Sequence, residues 1–248
     1  VGIRASFSAR SDCMRTGDGV KYWSDKPMLV LKVHQKEIMN DKIQKILSIL
    51  HDLYPGADCA LNHEEAHELL FATIMSAQTT DVNVNKVTFT LFQKYRTIAD
   101  FANANLEEFM EEIRSTGFYR NKARNVIGAA NMILQEFGGN VPQTLEELVR
   151  LPGVARKTAN VVLGTYFGIP SGFVVDTHVK RLAFRLGLTT HTDPVKVEKD
   201  LIESIPEEEW IFGGHAIILH GRSICDAKKP QCPVCPLIVA CPQNGIPQ

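Results

Sequence analysis

Four cysteines stand close together near the end of the chain, as Cys225-x6-Cys232-x2-Cys235-x5-Cys241. Thiolates at this spacing suit a 4Fe–4S cluster or an all-cysteine zinc site. A zinc ribbon would repeat the C-x2-C pair that occurs once here. Four exposed thiols left free would be prone to oxidation, so the array reads as a metal centre. Lys228 and Lys229 lie in the loop between the first two cysteines, where they can reach phosphates. A second chemical group is Lys157, within Leu151-Pro-Gly-Val-Ala-Arg-Lys-Thr-Ala-Asn-Val-Val. A cation in the first turn of a helix faces the positive end of its dipole, and Arg156 is adjacent. With partial burial, both effects disfavour the ammonium form, and a neutral amine is what a Schiff-base nucleophile needs. On charge alone, a solvated lysine touching a phosphate is an equal reading. The third group is Asp176, in Phe173-Val-Val-Asp-Thr-His. It occupies an N-cap position. Beside a pocket, the same carboxylate could stabilise positive charge on a sugar or shuttle protons for Lys157.

These groups need elements to hold them. The turn at Gly153 joins two helical patterns, and the N–H groups from about Ala155 onward point outward as a sequence-independent phosphate site. An ordinary helix–turn–helix connector is the alternative. Helical periodicity begins at Glu37, with Ile43, Ile46, Leu47 and Leu50 on one face, and stops at Pro55 and Gly56. Asn62 with Glu65 looks like a capping box for a helix through Leu69, Leu70 and Ile74. Leu106–Ile113 and Ala123–Leu134 mark two more helices, stopped by Gly117 and by Gly138-Gly139. Thr144 with Glu147 opens a short one. Further helices are expected at 155–166, 177–186, 194–204 and 208–222. Alternating strand patterns are missing, so the expected class is all-α. His63-Glu-Glu-Ala-His67 matches the zinc-protease H-E-x-x-H pattern, but it sits at a helix start without a clear third ligand and is set aside.

The 248 residues are enough for a substantial core, and 44% apolar with 22% charged residues suits a globular protein. No apolar run approaches the roughly 18 residues of a membrane span. A net charge of −1 means that nucleic-acid binding must rely on local basic patches. Six cysteines, four of them clustered, do not form a disulfide scaffold. Residues 1–11, with Arg4, Arg10 and no acids, faintly suggest a transit peptide; a flexible leader is the preferred reading.

Together these motifs resemble the endonuclease III family of the helix-hairpin-helix DNA glycosylases. The resemblance covers roughly residues 40–243 and rests on the Leu151–Val162 stretch, Val175-Asp-Thr-His178, Ile218-Leu-His-Gly-Arg222 and the cysteine spacing. It implies a two-lobed all-α fold: a six-helix barrel over 59–170, and an iron–sulfur cluster domain from 37–58 plus 171–248. Residues 1–36 would be a flexible extension. It implies removal of oxidised pyrimidines in base excision repair, followed by abasic-site β-lyase action through a Schiff base. The catalytic residues would be Lys157 and Asp176, with a 4Fe–4S cluster on Cys225, Cys232, Cys235 and Cys241. In Ser76-Ala-Gln-Thr-Thr-Asp81, Gln78 would fill the gap left by a flipped base. In Thr116-Gly-Phe-Tyr119, Phe118 would be an apolar wedge beside Tyr119. Gly153 and Ala155 would hold phosphates, although Ala155 stands where many relatives have glycine. The partner would be double-stranded DNA with a damaged base or abasic site, bound by a monomer away from membranes, in a bacterial-type cytoplasm alongside the nucleoid. Organellar targeting stays open. The alternatives are a monofunctional adenine or mismatch glycosylase, which would usually lack Lys157, and a non-catalytic iron–sulfur DNA-binding protein, which would not need the Lys157–Asp176 pair.

Overall fold

The computed structural model describes residues 26–246, with side chains from Glu37 onward. Most of the expected leader lies outside the described residues. The first helix, α1 (Lys26–Leu53), starts well ahead of Glu37, where the periodicity begins, and carries Pro27 in its first turn, where proline is tolerated. The chain divides into two units, Val1–Ile38 and Met39–Gln248. The described part of the first is the beginning of α1, and every feature below belongs to the second.

Among the described residues the regular elements are all helices. After α1 come α2 (Ala66–Ser76), α3 (Asp81–Lys94), α4 (Ile98–Ala102), α5 (Leu106–Glu112) and α6 (Tyr119–Glu136). They are followed by α7 (Leu145–Leu148), α8 (Arg156–Thr165), α9 (Thr177–Arg185), α10 (Pro194–Ser204) and α11 (Trp210–Ser223). Side-chain caps start most of them: Thr80, Thr97, Asn105, Thr144, Asp176 and Asp193 each accept a backbone N–H from the first turn.

Two buried cores organise the unit. The first gathers apolar side chains from Leu61 to Leu163 with Val174. At its centre Phe101, fully buried, packs 4.6 Å from Phe71 and 5.3 Å from Tyr95, centroid to centroid, with Phe109 edge-on at 6.1 Å. The second core joins Ile43, Ile46, Leu47 and Leu50 of α1 to Phe173 and to side chains from Val179 to Leu237. The segment Phe173-Val174 contributes to both, so the strand of chain leading to Asp176 is fixed from two sides.

One expectation is corrected. The capping box sits three residues later, between Glu65 and Glu68, because the Asn62 N–H donates to Asn85 Oδ1 at 3.0 Å rather than opening the helix. His63 is therefore outside α2 and cannot share a helix face with His67. His67 is buried among Phe71 and Phe101 with Nε2 unpartnered, which removes the H-E-x-x-H pattern. Helices α3 and α4 carry no strong periodic signal in the sequence. In α3, Val, Thr, Asn and Phe have modest helix propensity, and burial of Val84, Thr88 and Leu91 sustains it.

Candidate active site

The hairpin is built from α7, the turn at Gly153 and α8. Gly153 has φ +77°, and a Cβ there would lie 2.7 Å from the Asn125 amide, so both conformation and space require glycine. Ala155 is the N-cap of α8 at φ −89°, a conformation that suits a side chain, so the backbone donor is preserved without glycine. Neither a side-chain cap nor an acid occupies the first turn of α8. Its N–H groups are left for an outside acceptor, as an anion site requires.

Arg156 turns away from Lys157. Its Nε donates to both Glu198 oxygens at 3.0 Å, and Glu198 also accepts from Asn160 Nδ2 at 2.9 Å. This network ties α8 to α10. Lys157 itself is exposed, and the neighbouring Arg156 guanidinium is engaged by Glu198.

Asp176 is half-buried and caps α9, with Oδ1 accepting from the Val179 N–H at 2.7 Å. The structure brings Asp176 and Lys157 onto one cavity of about 100 Å³. Cys59, Asp81, His215 and Arg222 also line it. Arg222 and Asp81 pair at 2.7 Å, and His215 Nε2 meets Thr165 Oγ1 at 3.2 Å. Burial lowers the His215 pKa, which favours the neutral ring, while burial raises that of the Cys59 thiol. Sequence reading quoted Asp81 and Arg222 within motifs but gave them no role, and it missed His215 and Cys59. A wider depression of about 430 Å³ at His63, Glu64 and Phe89 contains none of the expected site residues.

Gln78 and Phe118 are on adjacent loops. Both are exposed and both are left-handed, at φ 56° and 47°, an uncommon state for non-glycine residues. Tyr119, half-buried, lies between Arg114 and Arg120, whose guanidinium carbons are 5.9 and 5.7 Å from its ring centroid. Lys228 and Lys229 are exposed, their backbone N–H groups held by Asp226 Oδ1.

The four clustered cysteines are half-buried free thiols. Burial raises the pKa of Cys235 and Cys241, and negative charge on the neighbouring cysteines adds to the rise. Arg185, buried, donates to Cys225 Sγ at 3.3 Å and to the Asp226 and Ala227 carbonyls at 2.7 and 2.9 Å. Arg181 donates to the Cys225 carbonyl at 3.0 Å, and His220 Nε2 stands 3.3 Å from Cys235 Sγ. Among the described residues, no group of three or more His, Cys, Asp or Glu side chains is gathered as a site for a single metal ion. No helix among them is long and apolar enough to cross a membrane.

A helical hairpin with uncapped N–H groups, beside a lysine and a carboxylate on one cavity, is the arrangement of a helix-hairpin-helix DNA repair protein. Residues 71–207 match the HhH-GPD superfamily of base excision DNA repair proteins. The chain is 54% identical to endonuclease III of Synechocystis sp. over 80% of its own length and 90% of that protein's. It is 46% identical to endonuclease III of Bacillus subtilis, over 81% and 91% of the two chains. Its fold matches a trapped endonuclease III–DNA covalent intermediate with a TM-score of 0.78 and 46% identity, covering 82% of this chain and 96% of that one. The chain belongs to the endonuclease III family and is a base excision repair DNA glycosylase with lyase activity.

Proposed function

We propose that the chain excises oxidised pyrimidines from duplex DNA and then cleaves the strand, with Lys157 as nucleophile and Asp176 as its carboxylate partner. The observation that carries this reading is the placement of both side chains on one cavity beside the hairpin. Duplex phosphates rest on the N–H groups at Gly153 and Ala155, with Lys228 and Lys229 adding charge farther along. The damaged nucleotide leaves the stack at a cost of a few kcal/mol, which is smaller for a damaged base. Gln78 fills the vacated space and Phe118, flanked by Tyr119, wedges the stack.

The neutral amine of Lys157 attacks C1′ as the glycosidic bond breaks, and the base departs with the bonding electrons and takes up a proton. Asp176 balances the positive charge developing on the sugar and accepts the proton lost by the amine. The sugar ring opens to the Schiff base. Loss of a C2′ proton then expels the 3′ phosphate by β-elimination, and water releases the lysine. Excluding bulk water strengthens the Lys157–Asp176 interaction while the nucleotide fills the cavity.

We also assign Cys225, Cys232, Cys235 and Cys241 as ligands of a 4Fe–4S cluster. Four free thiols, two of them (Cys235 and Cys241) raised in pKa by burial and by the charge of their neighbours, with Arg185 and Arg181 fastening the intervening loop, suit that group. Bound there, the cluster fixes the loop carrying Lys228 and Lys229. The two buried cores support separate assignments for 59–170 as a barrel domain and for 37–58 with 171–248 as a cluster domain.

The test is a duplex with a single thymine glycol. Wild type releases the base and leaves a 3′ unsaturated sugar, and Lys157→Ala does neither. Base release by Lys157→Ala at the wild-type rate would overturn the assignment. Loss of iron and of visible absorption in Cys232→Ser would support the cluster, and zinc in the purified wild type would exclude it.

A further inference from the structure

Lys122 is 4% exposed on the buried stripe of α6, and among the described residues no carboxylate pairs with it. Its Nζ donates to the Thr116 carbonyl at 2.7 Å and to Thr79 Oγ1 at 3.1 Å. Thr79 Oγ1 itself donates to the Thr116 carbonyl, and Asn83 Nδ2 donates to the Ser115 carbonyl at 2.9 Å. Thr79 follows Gln78 directly, and Thr116 stands two residues before Phe118. Lys122 also donates its backbone N–H to the Phe118 carbonyl at 3.2 Å, so it grips that loop from both ends. Both loops hold their exposed residue in the left-handed region, a conformation that persists only where surrounding contacts impose it.

The burial is costly. It lowers the pKa of the amine to about 8 without any counter-charge to recover the loss. A methionine would fill similar space and leave no acceptor stranded, because Thr116 O keeps the Thr79 hydroxyl. A lysine is therefore not the residue that stability alone would place here.

We propose that Lys122 is a positioning residue for base extrusion, clamping the Gln78 loop to the Phe118 loop so that both side chains enter the duplex at a fixed separation. This rests on the reading of Gln78 and Phe118 as gap-filler and wedge. The clamp acts only while a base must be drawn out of a paired duplex, so a sugar that is already unpaired does not need it.

Full-length, cluster-loaded Lys122→Met, Gln78→Ala and Phe118→Ala proteins are compared on three substrates: a lesion in a matched duplex, the same lesion in a mismatch, and an abasic site in a single strand. Thermal midpoints are measured alongside. Lys122→Met should lower matched-duplex excision by about 10- to 100-fold, the range expected of a displaced positioning group. It should recover most of this loss on the mismatch, where extrusion costs less. Single-strand cleavage should stay within about twofold of wild type, with an unchanged or higher midpoint. Normal matched-duplex excision by Lys122→Met, while Gln78→Ala and Phe118→Ala are impaired, would overturn the clamp alone. A parallel loss on all three substrates with a lower midpoint would show a merely structural lysine and also overturn it. Full activity of Gln78→Ala and Phe118→Ala would remove the reading beneath it.

Discussion

The cap and the proposed catalytic role of Asp176 can be separated by substitution. Asp176 caps α9 and lines the cavity that Lys157 also lines. Asn caps about as well as Asp, whereas Ala costs about 1 kcal/mol. Asp176→Asn is therefore expected to keep the denaturant midpoint of wild type while losing most excision, and Asp176→Ala to lose both; equal stability losses in the two variants would contradict the cap. Lys122 gives a pH signature. Its folded pKa of about 8 is below the usual 10.5, so above pH 8 the unfolded chain holds more protons than the native one. Its contribution to stability therefore rises with pH across that window and is flat below it. The midpoint advantage of Lys122→Met over wild type should shrink from pH 8 toward 10; an advantage that grows would mean the lysine is stabilised by a partner.

At the scale of elements, the hairpin is aligned by packing and by a carboxylate buried at some distance in sequence. Glu198→Ala leaves Arg156 and Asn160 without their acceptor. The expected loss is about 2 kcal/mol in equilibrium unfolding, with weaker duplex binding because α8 is no longer tied to α10; an unchanged midpoint would show the network to be incidental. Gly153→Ala should cost about 1–3 kcal/mol, since a left-handed alanine would also strike Asn125. Much of this was legible in the sequence. Asp176, Thr144 and the Gly138-Gly139 stop act where their chemistry predicts, and the all-helical class follows from the apolar spacing. What escaped depends on long-range partners. Asn62 is drawn off to Asn85, which shifts the capping box, and α3 is helical because its few apolar residues are buried. Lys122 could have been noticed: with Ala123, Val126, Ala129, Ala130 and Ile133 it falls on the apolar stripe of α6, where a lysine is out of place. The left-handed state of Gln78 has no sequence signal, because glutamine has no preference for it.

Over the whole molecule, the net charge of −1 gives DNA little general attraction, so affinity must come from a few local contacts. Each phosphate contact contributes about 0.9 to the slope of log affinity against log salt. Lys228→Ala and Lys229→Ala should each reduce that slope by up to about one on an undamaged duplex without changing lesion preference. An unchanged slope would place the loop away from DNA. The proposed reaction needs the hairpin, the cavity lined by Lys157 and Asp176, and the Gln78 and Phe118 loops to act together in making a lysine–sugar covalent intermediate. It is tested most directly by borohydride reduction during reaction with a thymine glycol duplex, followed by peptide mapping of the cross-link. The expected result is one covalent adduct per chain, on Lys157, and none from Lys157→Ala. An adduct mapped to another amine, or complete base release with no adduct, would contradict it.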